Sequence, residues 1–210
     1  MTVTIFGATG MVGKQLITHC LAKGWQVRAF GRNVESLIDK DLQSGQFEVI
    51  KGYVLDEHDV RHAIGGADAV LSALGGAFDG TDKTRSLGIK NIIGQMLATG
   101  VQRIVALGGL GVLPDAEGKF RLESPDYPQQ YLPVGLEHKQ AYLYLENAPL
   151  QWTFVCAPDI LPADADGKFG VAAEQPGPSF AINAGNLAQF MVQELERKQY
   201  VHHRVGIGNR

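Results

Sequence analysis

The sequence predicts an α/β fold, a doubly wound parallel sheet in one domain of 210 residues. Short, continuously apolar runs alternate along the chain with longer amphipathic runs, as expected for strands that helices bury on both faces. A glycine-rich turn at residues 7–13 separates the first apolar run from the first amphipathic one. No repeat or linker divides the chain, and its length suits one well-buried core.

The first half of the chain predicts four strands and two helices. The first strand is the apolar run 3–6, and the helix after it has Leu16, Ile17 and Leu21 on one face until Gly24 ends it. Apolar runs at 25–30 and 47–51 predict the second and third strands. A short helix over 56–64 opens with three acidic residues, which favour the positive end of its dipole. The run 69–74 predicts the fourth strand.

The second half predicts three helices and three strands. A long helix spans the apolar positions 87–97 and ends at Gly100, and it is apolar enough to allow a dimer. Strands at 103–107 and 152–156 flank a helix over 134–147. A last helix, 187–195, precedes an edge strand at 204–207.

Two stretches, 108–133 and 159–179, break this alternation. Both are rich in Gly, Pro and charge, and both follow strands at their carboxyl ends. Ligands bind at those ends in open α/β sheets, so we expect the two loops to form the wall of a substrate site.

The composition is that of an ordinary globular protein. A formal net charge of -3 gives no reason to expect nucleic acid or an anionic membrane as a partner. No apolar run approaches the roughly 20 residues that cross a bilayer, and no signal-peptide pattern precedes the first strand. Cys20 and Cys156 lie in apolar segments and are expected to be buried, and the histidines lack metal-ligand spacing. We therefore expect a cytoplasmic monomer or homodimer without a metal.

The glycine-rich turn predicts a dinucleotide site. Gly7 permits a tight turn, Gly10 lets the backbone approach a pyrophosphate, and Gly13 lets the helix pack closely on the strand. The N–H groups at the start of the helix then hold the phosphates. A glycine turn without a ligand is the alternative, but the strand–turn–helix context favours a nucleotide. The predicted contacts are Gly7, Thr9, Gly10, Met11, Val12 and Gly13.

The end of the second strand favours NADP(H) over NAD(H). An Asp or Glu at this point would bond the ribose 2′-hydroxyl of NAD, whereas an Arg suits a 2′-phosphate. Here Arg32 follows the strand, and no carboxylate appears before Glu35. A guanidinium can grip a phosphate through two parallel hydrogen bonds. The alternative is that Arg32 is only solvated.

Three segments together resemble the atypical short-chain dehydrogenase/reductases. They are the glycine turn 7–13, the strand end 31–33 and the segment 151–158. The likeness covers essentially the whole chain and is to the small NAD(P)H-binding group with NmrA-like proteins, NADH-flavin reductases and biliverdin-IXβ reductase. It implies a Rossmann fold, and further cofactor contacts at the ends of the later strands, namely Val54, Leu74, Gly75, Leu107, Gly108, Ala157 and Pro158.

The resemblance also bears on catalysis. Lys139 matches the lysine of the superfamily's Tyr-x-x-x-Lys pair, but Gly135 stands in place of the tyrosine and Gly108 in the region of the usual Ser or Thr. Chemistry that needs a phenolic proton donor is therefore disfavoured. In flavin-reductase relatives an acid–His pair lies in this helix, and Glu137 and His138 match it.

Roles for the two catalytic candidates follow from this match. His138 would donate a proton near neutral pH, unless it is a plain surface histidine. Lys139 would hold the nicotinamide ribose, unless it is only solvated.

These features predict an NADPH-dependent reductase of a planar acceptor such as a flavin or quinone, which needs mainly correct stacking. Phe78 and the loop aromatics Phe120, Tyr127 and Tyr131 are candidates to contact the acceptor, although aromatic loop residues also pin loops to the body. The alternative is a non-catalytic NADP(H) sensor of the NmrA-like type, which the missing Tyr and Ser favour. An isomerase or epimerase of nucleotide sugars is disfavoured, because those relatives keep the Tyr-x-x-x-Lys pair and a larger C-terminal domain.

Overall fold

Strands and helices alternate along residues 1–37 and 45–210, the part of the chain that the computed structural model describes. The strands are β1 (Thr2–Phe6), β2 (Gln26–Gly31), β3 (Phe47–Lys51), β4 (Ala69–Ser72), β5 (Arg103–Gly109), β6 (Gln151–Ala157), β7 (Asp159–Leu161), β8 (Phe169–Ala173), β9 (Ala181–Asn183) and β10 (His203–Asn209). The helices are α1 (Met11–Ala22), α2 (Glu57–Ile64), α3 (Thr84–Thr99), α4 (Leu132–Glu146) and α5 (Ala184–Arg197).

Eight strands form one sheet in the order β3-β2-β1-β4-β5-β6-β10-β8. All neighbours are parallel except β10 and β8. Strands β7 and β9 form a separate parallel pair. The order reverses at β1, which lies between β2 and β4. This arrangement confirms the predicted doubly wound α/β sheet in a single domain.

Helices cover both faces of the sheet. On one face α1 and α5 pack together, and their core includes Leu16 and Leu187. On the other face α2, α3 and α4 enclose a core that includes Ile92 and Trp152. The two cysteines are buried, as predicted, one in each core. None of the helices in the described ranges combines the length and apolar character that a membrane-spanning helix needs.

The C-terminal part of the sheet differs from the prediction. The segment predicted as an edge strand, 204–207, belongs to β10, which lies inside the sheet between β6 and β8. Strands β7 and β8 lie within 159–179, which the alternation of runs had predicted as a loop. The reason is that β8 becomes a strand by pairing with β10, more than 30 residues later in the chain, and its own sequence is too short to show a period.

The other irregular stretch, 108–133, begins with the end of β5 and then contains three short 3₁₀ turns. The rest of the predicted strands and helices are confirmed with small shifts at their ends. The long connection therefore lies at the carboxyl edge of the sheet, directly before α4.

Candidate active site

A cleft of about 1260 Å³ runs along the carboxyl edge of the sheet. It begins at the turn after β1 and passes the ends of the strands on both sides of the point where the strand order reverses, which is where open α/β sheets form a crevice. All the cofactor residues predicted from the sequence line this cleft except Gly13 and Lys139. The volume exceeds the roughly 300–1,000 Å³ of most small-molecule sites.

The glycine turn has steric reasons for two of its glycines. Gly7 has a φ of +77°, and a Cβ on it would lie 2.2 Å from the carbonyl oxygen of Ala73 at the end of β4. A Cβ on Gly13 would lie 2.1 Å from the Gly7 carbonyl oxygen, so α1 packs directly on the turn. The Gly10 amide donates to that same oxygen at 3.0 Å and closes the turn. Gly13 therefore acts by packing, behind the surface of the cleft.

The N-terminus of α1 points into the cleft. Gly10 precedes the helix and forms no side-chain cap, and the first turn contains no acidic residue. Among the described residues, no side chain accepts from the first N–H groups of the helix, which lie at the positive end of its dipole. Thr9, Gly10 and Met11 are exposed and line the cleft. This arrangement suits a phosphate group.

The end of β2 presents a guanidinium to the same cleft. Arg32 is exposed and lines the cleft. Glu35, the next carboxylate along the chain, lies outside the cleft lining, and its Oε1 accepts a hydrogen bond from Lys51 Nζ at 2.8 Å. Tyr53 follows β3, lines the cleft and is 62% exposed. Among the residues that the structure describes, this end of the cleft therefore offers a cation and an aromatic ring, and no unpaired carboxylate follows β2.

Two glycines at the end of β5 explain why no serine occupies this position. A Cβ on Gly108 would lie 2.1 Å from the ring of Phe154, so even a small side chain would displace that buried ring. A Cβ on Gly109 would lie 3.0 Å from the ring of His138. The backbone of β5 thus lies directly against two rings, and His138 takes the space next to it.

His138 is partly buried on α4 and lines the cleft. Burial, followed by the positive charge of Arg85, lowers the pKa of His138 to about 3. The imidazole is therefore neutral at physiological pH, which disfavours the predicted donation of a proton from this ring near neutral pH. Its place in the cleft also distinguishes it from a plain surface histidine. A neutral ring can still donate one hydrogen bond to a ligand.

Glu137 faces the opposite way from its neighbour. Its carboxylate is buried against α3, where it accepts hydrogen bonds from Lys83 Nζ at 3.0 Å and from Ser86 Oγ at 2.7 Å. Consecutive residues on a helix point in different directions. The acid–His pair implied by the resemblance is therefore split: Glu137 joins α3 to α4, and only His138 reaches the cleft.

Lys139 does not line the cleft either. Its Nζ pairs with the Glu123 carboxylate and lies 4.6 Å from the centre of the Phe120 ring. Phe120 in turn packs edge-on against Tyr142, with ring centres 5.9 Å apart. These contacts fasten the stretch 108–133 to α4. The structure thus places Lys139 and Phe120 in the anchor of the loop, away from the expected ribose and acceptor positions.

The far end of the cleft is aromatic. Phe78, Tyr127 and Tyr131 line it, as expected from the sequence, and Phe180 lines it as well. Phe78 is 64% exposed and Phe180 is 69% exposed, which is unusual for phenylalanine side chains in a folded domain. Phe180 directly precedes β9, and the pairing of β9 with β7 brings it to the cleft. Because this pairing leaves no local pattern in the sequence, Phe180 could not be predicted.

Arg85 is a second residue that sequence reasoning missed. It lies in the first turn of α3, is only 6% exposed and lines the cleft. Its guanidinium donates to the carbonyl oxygens of Gly76 and Ala77, both at 2.9 Å, and lies 5.4 Å from the centre of the Phe78 ring. No carboxylate of the described residues lies within 4.0 Å of its nitrogens. A buried cation therefore faces the aromatic end of the cleft.

Comparison with known proteins decides the family. A family model described as NAD(P)H-binding matches residues 7–198, most of the chain. The chain belongs to this NAD(P)H-binding family.

Three similar proteins align with nearly the whole chain. The uncharacterized protein YwnB of Bacillus subtilis is 24% identical, over 97% of this chain and 96% of its own. The solved structure of a candidate epimerase from Bacteroides thetaiotaomicron is 27% identical with a TM-score of 0.85, covering 99% of this chain and 96% of the other. A candidate NADH-flavin reductase from Streptococcus pneumoniae is 24% identical with a TM-score of 0.83, covering 100% of both chains. At that identity it shows the shared fold alone.

The cleft fits a dinucleotide on structural grounds. Gly7, Gly13 and Gly108 are explained by protein atoms that a Cβ would strike. Gly75 is not, because no described residue lies within 4 Å of a Cβ there. Gly10 is explained only in part, because a Cβ there would make one tight contact, 3.3 Å from the Gly7 carbonyl oxygen. Both line the cleft, so bare backbone is presented to whatever occupies it. This is what close approach of a pyrophosphate and a nicotinamide ring requires.

Proposed function

We propose that the protein is an NADPH-dependent reductase of a planar electron acceptor of the flavin or quinone type. The observation that supports this most is the shape of the cleft, which continues past the strand ends into a region lined by Phe78, Tyr127, Tyr131 and Phe180. Aromatic rings prefer offset-stacked or edge-to-face contacts with other rings. A planar acceptor therefore finds both room and stacking partners beside the nicotinamide end of the cofactor.

The charges at this end suit the same reaction. A bound reduced nicotinamide supplies a hydride, and a planar acceptor that takes it gains negative charge. The buried guanidinium of Arg85 and the neutral imidazole of His138 both face the cleft where that charge develops. Fixed donors and cations in a poorly solvated site stabilise such charge more strongly than water does. We assign this role to Arg85 and His138.

For the cofactor we infer a preference for NADPH over NADH. Arg32 at the end of β2 is the group that would hold a 2′-phosphate. Lys51 pairs with the Glu35 carboxylate, the next acid after Arg32 in the sequence, which is therefore not free to accept from a ribose hydroxyl. The exposed start of α1 would hold the pyrophosphate. The remaining contacts would come from the strand ends that line the middle of the cleft.

The test of this function is a two-step fluorescence experiment. Purified protein is titrated with NADPH while nicotinamide fluorescence is followed, and FMN or menadione is then added to the same cuvette. We expect saturable binding followed by loss of fluorescence at a rate proportional to protein. Saturable binding without turnover for any flavin or quinone would overturn the reductase proposal.

A pair of variants that each add one negative charge supplies the control. Met11→Glu places a carboxylate at the phosphate end of the cleft, where Met11 is exposed, and an acid in the first turn does not harm the helix. We expect this variant to lose NADPH binding and turnover together. Thr18→Glu adds the same charge to an exposed position on α1 outside the cleft and should behave as the wild type. Equal turnover in the two variants would place the reaction elsewhere.

A second candidate function is a non-catalytic NADP(H) sensor. The observation that favours it is that glycine stands at positions 108 and 135, where the superfamily's serine and tyrosine are expected. Neither residue provides a hydroxyl. A sensor must bind NADP⁺ and NADPH with different affinities, because a ligand shifts a two-state protein only through differential binding. Equal affinity for the two forms, measured by calorimetry, would exclude this function.

A further inference from the structure

Tyr127 occupies a gap that two glycines leave open. A Cβ on Gly111, in the 3₁₀ turn after β5, would lie 2.7 Å from the Tyr127 hydroxyl oxygen. A Cβ on Gly135, in α4, would lie 3.1 Å from the same oxygen. The phenol end of the ring thus lies between the backbone of the 3₁₀ turn and the backbone of α4. Any side chain at position 111 would displace it.

Tyr127 lines the cleft, and its hydroxyl has no hydrogen-bond partner among the described residues. The ring is half-buried. The buried Tyr142 is different, because its hydroxyl donates to Glu146 at 2.7 Å. Burial, with the nearby Tyr131 phenol, raises the pKa of Tyr127 above its usual range. The group is therefore a protonated donor at neutral pH.

The same wall brings His138 close to this phenol. Gly135 and His138 are three residues apart on α4, so they share one face of the helix. On the opposite side, Gly109 at the end of β5 lies against His138, and Gly111 in the following 3₁₀ turn lies against Tyr127. Tyr127 and His138 therefore belong to one wall of the cleft, which α4 and residues 109–111 form.

We propose that Tyr127 is a catalytic residue that donates a hydrogen bond, and then a proton, to a carbonyl oxygen of the acceptor. The proposal rests on the reductase function above and narrows its substrates to planar molecules with a carbonyl oxygen in conjugation, such as quinones. It also supplies, from the loop before α4, the phenolic donor that the sequence lacks at Gly135.

In this step the acceptor receives a hydride, which is two electrons and one hydrogen nucleus, from the reduced cofactor. The cofactor is thereby oxidised. The carbonyl oxygen gains the negative charge and takes a proton from Tyr127 Oη, so that an O–H bond forms on the acceptor as the phenol O–H bond breaks. Water then returns a proton to the phenolate.

The test compares two phenylalanine variants in the reductase assay with menadione. Tyr127→Phe keeps the ring in its gap and removes only the hydroxyl. We expect kcat to fall about 100-fold, the usual order for loss of a general acid, with NADPH affinity unchanged. Tyr144→Phe, a half-buried tyrosine on α4 outside the cleft, should match the wild type. If the wild type turns over and Tyr127→Phe keeps its kcat within about twofold, the role of Tyr127 is overturned while the reductase function stands.

A second variant and a binding measurement separate the two proposals. Gly111→Ala should reproduce the loss seen in Tyr127→Phe, because the new methyl group displaces the hydroxyl. Calorimetry with menadione in the presence of NADP⁺ needs no turnover, and we expect Tyr127→Phe to bind it roughly tenfold more weakly than the wild type, the cost of one buried hydrogen bond. If the wild type shows no turnover, the reductase function and the proton transfer both fail. Equal affinity of the wild type and Tyr127→Phe for menadione would then also exclude the proposed hydrogen bond.

Discussion

At the scale of single residues, neighbours decide what a titratable group can do. The His138 ring lies against Gly109 and near the buried Arg85, and these surroundings lower its pKa to about 3. In the unfolded chain the ordinary pKa of histidine is about 6.5. The unfolded chain therefore takes up a proton at His138 as the pH falls below that value, and the folded protein does not. Stability from this group is complete above the unfolded pKa and is lost as the pH falls toward the folded one.

His138→Phe should make the protein less sensitive to acid. Between about pH 7 and about pH 5 the wild type should lose stability at up to about 1.4 kcal/mol per pH unit because of this one group. In the variant, the free energy of unfolding should fall less steeply with pH by this amount, as measured by urea unfolding at the two pH values. His58→Gln is the control, because the His58 side chain is 93% exposed and its removal should leave the slope unchanged. An unchanged slope in His138→Phe would mean that the folded protein protonates this ring.

Arg32→Glu should reverse the cofactor preference. The variant loses the guanidinium that we assign to the 2′-phosphate and gains a carboxylate that repels it and can accept from a ribose hydroxyl. We expect the Kd for NADPH to rise by roughly tenfold or more, with NADH affinity unchanged or improved, in a fluorescence titration. Arg197→Glu makes the same change of charge at the far end of α5 and should have no effect. A preserved NADPH preference in Arg32→Glu would contradict our assignment.

At the scale of elements, the junction of β1 and α1 is set by close backbone contacts. Gly13 allows α1 to lie on the glycine turn, since a Cβ on it would lie 2.1 Å from the Gly7 carbonyl oxygen and 2.8 Å from backbone atoms of Ala8. The contact is between backbone atoms, which cannot rotate away. The helix axis, and with it the direction of the free N–H groups, depends on this one missing side chain.

Gly13→Ala should therefore weaken both stability and cofactor binding. Overpacking at such a contact costs about 1–3 kcal/mol, and the displaced helix start should raise the Kd for NADPH by roughly tenfold. Gly94→Ala is the matched control in the middle of α3, with nothing within 4 Å of the added methyl group. It should raise stability by about 0.4–1 kcal/mol without changing binding. Thermal unfolding and fluorescence titration of both variants distinguish these outcomes, and wild-type binding by Gly13→Ala would contradict the proposed geometry.

At the scale of the whole molecule, one buried ion pair joins distant parts of the chain. Arg103 at the start of β5 donates to Glu194 Oε1 of α5 at 2.9 Å, across 91 residues of sequence. The same oxygen accepts from Thr153 Oγ1 in β6 and from the Tyr200 amide before β10. Both charged side chains are almost fully buried. The network therefore fixes α5 and the entry to β10 against the centre of the sheet.

Glu194→Gln should be strongly destabilising. It leaves the Arg103 guanidinium buried without its counter-charge, which costs about 3–5 kcal/mol in comparable pairs. Glu196→Gln breaks the exposed pair with Lys23 nearby and should cost about 1 kcal/mol or less. Urea unfolding of the two variants measures the difference. A loss of less than about 1 kcal/mol in Glu194→Gln would show that water reaches Arg103 in the folded protein.

The sequence by itself was enough to predict the alternation of strands and helices, the dinucleotide turn and the burial of both cysteines. These features depend on local properties: the period of apolar residues, the steric freedom of Gly7 and the order strand–turn–helix. Most of the predicted cofactor residues line one cleft for the same reason, since the carboxyl ends of parallel strands meet at one edge of the sheet.

The tertiary structure alone decided the direction and charge of the side chains in that cleft. It brings Tyr127 between Gly111 and Gly135, turns Lys139 toward Glu123, buries Arg85 beside the cleft and inserts β10 inside the sheet. Each of these depends on contact between segments far apart in sequence, and no local period records such a contact. Polarity and pKa follow from burial, and burial belongs to the packed molecule.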